Sequence, residues 1–234
     1  YMGYIAYQND DYNQAASYFS EVKDRPEYQN KLDYFEADMS FKLGDFDKAI
    51  ALGTKALANA RGVDRSELSK IVGESYFNQK KYADAIPYLE AYRGKKNRYN
   101  PTDWYQLGFA YFKTGDYEKA VSHFNKIIGE KSAVAQNAYY HMAQAYMALN
   151  QKQEARNAFR SASEMNADAS IAEAAALSHA KLSYETGTLL QNVPDILSAF
   201  INRYPDNKET PEIKKLLVDA LLTSKNYTAA LAFA

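Results

Sequence analysis

The chain has 234 residues, 47% of them hydrophobic, and a formal net charge of −1. That balance argues against a dominant role on nucleic acid or an anionic membrane surface, since each usually needs a basic face. Lack of cysteine excludes disulfides, thiolate metal sites and cysteine nucleophiles, and no apolar run approaches the length of a membrane span.

In chain order, residues 1–29 read as an incomplete helix pair that closes near Pro26. Residues 30–65 form the next pair, with a turn at Leu43-Gly44-Asp45 and a helix over Phe46–Ala58. Its Glu36, Ser40 and Gly53 stand where larger apolar residues are expected, so this pair should pack more loosely. Residues 66–100 follow, with Pro87 inside the second helix predicting a local bend. The pair at 101–135 is the most regular. Trp104, Leu107, Gly108 and Tyr111 share a face of its first helix, then Gly115-Asp116 turns the chain. Tyr117, Ala120, Phe124 and Ile127 line the second helix. Gly108 and Ala120 mark a crossing where a side chain larger than methyl would hold the backbones apart. Gly115 supplies a permissive turn and Asp116 a helix cap. Residues 136–170 repeat the pattern, and 171–210 do so irregularly. There Thr188-Leu-Leu-Gln-Asn-Val-Pro194 lengthens the turn before Asp195, and His179 replaces an expected apolar residue. Residues 211–234 start a further pair.

The period is explicit. Ala15, Ala49, Ala85, Ala120 and Ala155 recur at spacings of 34, 36, 35 and 35, then Ile196 and Ala230 follow at 41 and 34. The Gly108 slot is filled in order by Gly3, Ala37, Gly73, Gly108, Ala143 and Ala180. An aromatic follows the turn as Tyr12, Phe46, Tyr82, Tyr117 and Tyr227. This pattern resembles the tetratricopeptide repeat (TPR), a helix–turn–helix unit with a period of 34 residues. The resemblance implies an all-α right-handed superhelix, an α-solenoid of about five full repeats with partial repeats at both ends. The whole chain would then be a single solenoid. The ending Phe200-Ile-Asn-Arg-Tyr204-Pro205, with Pro211 beyond it, is similar to TPRs of Gram-negative envelope proteins, the Tol–Pal coordinator and the outer-membrane assembly lipoprotein. That likeness implies the periplasmic side of a bacterial envelope, with the cytoplasm as the alternative. Tyr1 falls mid-helix and Leu231-Ala-Phe-Ala stops inside another, although stacked repeats need polar terminal faces. The expectation is a piece of a longer protein.

In TPR proteins the first helices line a concave groove, and their inward positions are implied here residue by residue. They yield Tyr34, Asp38, Phe41 and Lys42, then Lys70 and Phe77, then Tyr105, Phe109, Phe112 and Lys113, then Tyr140. Lys181 and Tyr184 extend the set. Aromatic anchors with a polar fringe suit a peptide or protein partner. The bland reading is that the rings pack on adjacent repeats and shield one another. A carboxylate-gripping groove is rejected, because only Lys70 matches and Glu74 stands where its Asn partner should be. His123, His141 and His179 lie in different repeats without metal-ligand spacing, so no metal, cofactor or catalytic residue is expected. Arg93-Gly-Lys-Lys-Asn-Arg98 reads as a solvated basic linker. The function expected is a non-catalytic protein-interaction scaffold. The alternatives are self-association through exposed repeat ends and a regulatory module of a larger signalling protein. Replacing Phe109 and Phe112 by alanine is expected to abolish partner capture without unfolding the chain.

Overall fold

A computed structural model describes residues 1–187 and 192–233. Fourteen helices run along the described residues. They are α1 (Met2–Gln8), α2 (Tyr12–Ser20), α3 (Pro26–Lys42), α4 (Phe46–Leu57), α5 (Gly62–Asn78), α6 (Tyr82–Ala91) and α7 (Pro101–Thr114). Then come α8 (Tyr117–Phe124), α9 (Ala133–Ala148), α10 (Lys152–Ser163), α11 (Ala169–Thr186), α12 (Val193–Arg203), α13 (Thr210–Thr223) and α14 (Tyr227–Phe233). The chain forms two compact units, Tyr1–Gly115 and Asp116–Ala234. In the first, each helix packs on the next, from α1 on α2 through α6 on α7, and α3 also meets α5. In the second, consecutive helices again pair from α8 to α14, with α9 on α11 and α11 on α13. The fold is the all-α solenoid of helical hairpins that the period implies.

Local signals set the hairpins. Asp11, Asp45 and Asp116 each accept a backbone N–H from three residues on, so α2, α4 and α8 begin at a carboxylate cap. Asn100 and Asp103 close a reciprocal capping box at the start of α7, with Pro101 in its first turn. In the hairpins whose turns are described, the residue before the second-helix cap is left-handed. Gly44 (φ 78°) and Gly115 (φ 86°) suit that geometry, but Asp10, Lys80, Asn150 and Lys225 adopt it too, at φ 58–62°. The turn is therefore carried by the hairpin's geometry and not by glycine alone.

The small-residue slots are where the helices approach. Ala15, Ala49, Ala85, Ala120 and Ala155 are completely buried, as are Ala37, Ala143 and Ala180 in the first-helix slot. A methyl group built on Gly73 would stand 3.0 Å from the Leu89 backbone nitrogen, so α5 and α6 all but touch there. In α12, Ile196 keeps its register four residues after the cap, yet it is half-buried. Leu197 takes the fully buried place.

The second repeat is not the loose one expected. Gly53 is buried because Val72 of α5 fills its space, with Val72 Cγ2 2.5 Å from where a Cβ would sit. Ser40 is buried as well and returns its hydroxyl to the Glu36 carbonyl at 2.8 Å. At Pro87, α6 continues to Ala91 without a break. Of the lengthened turn expected over Thr188–Pro194, residues 188–191 lie outside the described residues, and α12 begins at Val193.

The basic run is shaped as well as solvated. Gly94, Lys96 and Asn97 all have positive φ, and Lys95 bridges Arg98 across a tight turn. The Tyr99 ring stacks on Tyr92 at 5.7 Å, and its hydroxyl donates to the Leu89 and Tyr92 carbonyls. The four cations Arg93, Lys95, Lys96 and Arg98 stay exposed.

Candidate functional site: an aromatic face on the first helices

The residues singled out from sequence fall into three environments. Tyr34 and Phe41 belong to α3. Phe41 leans on Phe46 at 5.9 Å, and Tyr34 meets Phe35 edge-on at 5.5 Å. Burial and the neighbouring Asp38 push the Tyr34 hydroxyl well above the usual tyrosine range. Asp38 is buried and engaged inside the fold. It accepts the Tyr7 hydroxyl at 2.5 Å and pairs with Lys42 at 2.9 Å. Burial works against the Lys42 charge, but its bonds to Asp38 and Tyr7 win and its pKa rises. The Tyr7 hydroxyl is pushed up to about 12 by burial and by Asp38.

Lys70 is likewise answered from within. Its ammonium sits 3.0 Å from Asp103, 3.8 Å from Glu74 and 4.8 Å from the Tyr92 ring centre. Burial raises the Glu74 pKa, and Lys70 opposes that rise. Asp38 and Lys70 thus join neighbouring repeats and do not stand open to a ligand, which differs from their expected place in the polar fringe of a groove. The sequence could show their helix face but not the acceptors one period away.

The densest aromatic group spans α5, α6 and α7. Phe109 stands at its centre, with Phe77 at 5.8 Å, Tyr82 at 5.6 Å, Tyr105 at 5.7 Å and Phe112 at 6.2 Å. All five rings are half-buried. Offset and edge-on pairs at such distances contribute about 0.5–1.5 kcal/mol each beyond area burial. The exposed Lys113 places its ammonium 5.1 Å from the Phe109 ring centre and 5.7 Å from that of Phe112. Burial, with the Tyr82 ring nearby, lifts the Tyr105 hydroxyl to about 12, so it remains a neutral donor at physiological pH. In the second unit, Tyr140 meets Phe159 edge-on at 5.8 Å and His141 at 5.6 Å.

Sequence reading missed Tyr82 as part of this face. A signal was present: Tyr7 with Tyr12, Phe41 with Phe46 and Phe77 with Tyr82 are aromatic pairs five residues apart that pack across each turn. Trp104, on the same helix face as Leu107 and Gly108, leans on Tyr99 at 4.6 Å. His179 is half-buried beside two arginines, an environment that its isolation in sequence did not suggest.

Stacked helical hairpins with an aromatic first-helix face define a solenoid of the protein-interaction class. A tetratricopeptide repeat family model matches residues 2–64 and 41–101, and the model for anaphase-promoting complex (cyclosome) subunit 3 matches residues 78–162. The chain belongs to the tetratricopeptide repeat family. No curated protein matches it. Among solved structures it is similar to MamA of AMB-1, with a TM-score of 0.58 and 22% identity over 73% of this chain and 92% of that one. A tetratricopeptide repeat protein from Parabacteroides merdae gives a TM-score of 0.55 and 20% identity, covering 87% of this chain and 77% of that one. PilW, described as a widely conserved type IV pilus biogenesis factor, gives 0.51 and 15%, covering 90% and 94%. These likenesses are of fold.

Proposed function

We propose that the chain is a non-catalytic scaffold that holds an extended segment of a partner protein against the α5–α7 aromatic face, within a bacterial cell envelope. The observation that carries the binding reading is the five-ring group centred on Phe109 with Lys113 at its edge. Rings that buttress one another lose little freedom when a ligand covers them, so their remaining exposed surface can be spent on affinity. Lys113 favours a segment with an acidic residue beside its apolar anchor. The envelope location rests on the Phe200 to Pro205 ending; PilW, a type IV pilus biogenesis factor, shares the fold and is consistent with it.

Selection of a displayed peptide library on the purified chain, followed by titration of the winners, tests this. Phe109 touches four other rings, so its replacement would disturb the fold as well as the face, contrary to the clean double mutant expected from sequence. Phe112→Ala is the better probe. It is expected to weaken a selected peptide about tenfold, as truncation of an anchoring ring does. An unchanged affinity in Phe112→Ala together with Lys113→Ala would remove this face from consideration.

A second reading, self-association, is favoured by exposed apolar side chains at Met2, Tyr4 and Ile5 of α1 and at Tyr227, Leu231 and Phe233 of α14. Light scattering over a dilution series separates it from the first, because peptide binding alone leaves the molar mass constant.

A further inference from the structure

The second unit holds a cationic recess that the aromatic face does not involve. Arg156, Asn157 and Arg160 of α10, His179 of α11, and Asn192 and Ile196 at the start of α12 surround a cavity of about 270 Å³. Positions 156 and 160 are one helical turn apart, so both guanidinium groups come off the same face of α10. Among the described residues, none of those lining the recess carries a carboxylate. Two described acids touch lining residues: Glu164 lies 3.8 Å from Arg160 with both side chains exposed, and Asp195 accepts the Asn192 amide. An exposed pair at that distance is worth at most about 1 kcal/mol and yields readily to a better anion. Arg156 also reaches the Thr186 hydroxyl at 3.5 Å, which steadies it against α11.

His179 lies within reach of the same two arginines. Burial, then Arg160 and Arg156, hold its imidazole down to about 4, so at neutral pH the ring is uncharged. A neutral imidazole offers one N–H donor, and the two Asn amides offer more.

We propose that this recess binds a phosphate-type dianion. Two guanidinium groups match two negative charges, and a tetrahedral oxyanion can present oxygen edges to both at once, whereas one planar carboxylate is matched by one guanidinium. The cavity is larger than a phosphate group alone, and Ile196 supplies an apolar wall, so a small phosphomonoester fits as well as the free ion.

The test follows the ring resonances of the three His in the intact chain while inorganic phosphate, and separately O-phosphoserine, is added at constant ionic strength. Saturable movement of the His179 signals, with His123 and His141 unmoved, is the expected result. Arg160→Gln removes an exposed side chain and is expected to weaken binding at least about tenfold, the weight of a charge-assisted contact. Arg156→Gln with Arg160→Gln should abolish it, with helicity checked by circular dichroism. Tighter binding of O-phosphoserine identifies the monoester, and equal or weaker binding identifies free phosphate. Movement that is linear, shared by all three rings or undiminished in Arg160→Gln overturns the proposal.

Discussion

The side-chain amide of Gln136 grips both backbone polar groups of Asp168, accepting its N–H at 2.7 Å and donating to its carbonyl at 3.0 Å. The same nitrogen donates to the Ala162 and Met165 carbonyls at 3.1 Å, and the side chain is completely buried. One residue of α9 thus fastens the whole α10–α11 connection. Gln136→Ala should cost about 2–4 kcal/mol in chemical denaturation, since it leaves buried carbonyls and an N–H unanswered. Gln136→Glu should cost more, because a carboxylate would face three carbonyl oxygens.

The left-handed turn residues make a prediction of the opposite sign. Lys80 and Lys225 hold φ near 60° without the freedom of glycine. Lys80→Gly should raise stability by up to about 1 kcal/mol, the cost of a side chain in that region less the added freedom of the unfolded chain. Gly115→Ala should lower it by about 1 kcal/mol through the backbone alone, because nothing lies within 4 Å of the new methyl. Thermal unfolding of the two variants reads both.

At Gly73 the limit is space. The added Cβ would meet the Leu89 backbone nitrogen at 3.0 Å and Cδ2 at 2.9 Å. Because backbone cannot rotate away, α5 and α6 would have to separate. Gly73→Ala is expected to destabilise by about 1–3 kcal/mol, and a value within error of zero would show that the hairpin can open without strain.

Acid sensitivity should centre on His179. The unfolded ring takes up a proton near 6.5, whereas burial and the two arginines delay this to about 4 in the folded chain. Between those values the unfolded state binds the proton preferentially. The contribution is therefore complete above pH 6.5 and is lost as pH falls towards 4, by up to about 3 kcal/mol. His179→Gln should flatten that limb in denaturation midpoints measured across the range.

What sequence could reveal follows from how far each cause reaches along the chain. The slots at Ala49, Ala85, Ala120 and Ala155 were legible because a steric demand recurs at every crossing and only small residues meet it. Caps at Asp11, Asp45 and Asp116 were legible because their partners lie three residues on. Compensation from another repeat was not. Val72 filling the space at Gly53, Asp103 answering Lys70 and Gln136 clasping Asp168 each join residues separated by a loop of sequence without any local mark. The shift from Ile196 to Leu197 follows the one hairpin whose spacing departs from the period. The ring at Tyr82 was misjudged for a simpler reason. It was read as a turn marker, while its position also aims it at Phe77 and Phe109.

Among the described residues of each unit, the main helix contacts are with the next in the chain or the next but one. Closing such short-range contacts costs little chain entropy, so each unit is expected to assemble quickly, on the microsecond-to-millisecond scale of helical domains. It also means that opening is local. Amide hydrogens of α1 and α14 should exchange with solvent well before those of α5 or α11, giving a gradient of protection along the chain in place of one shared rate.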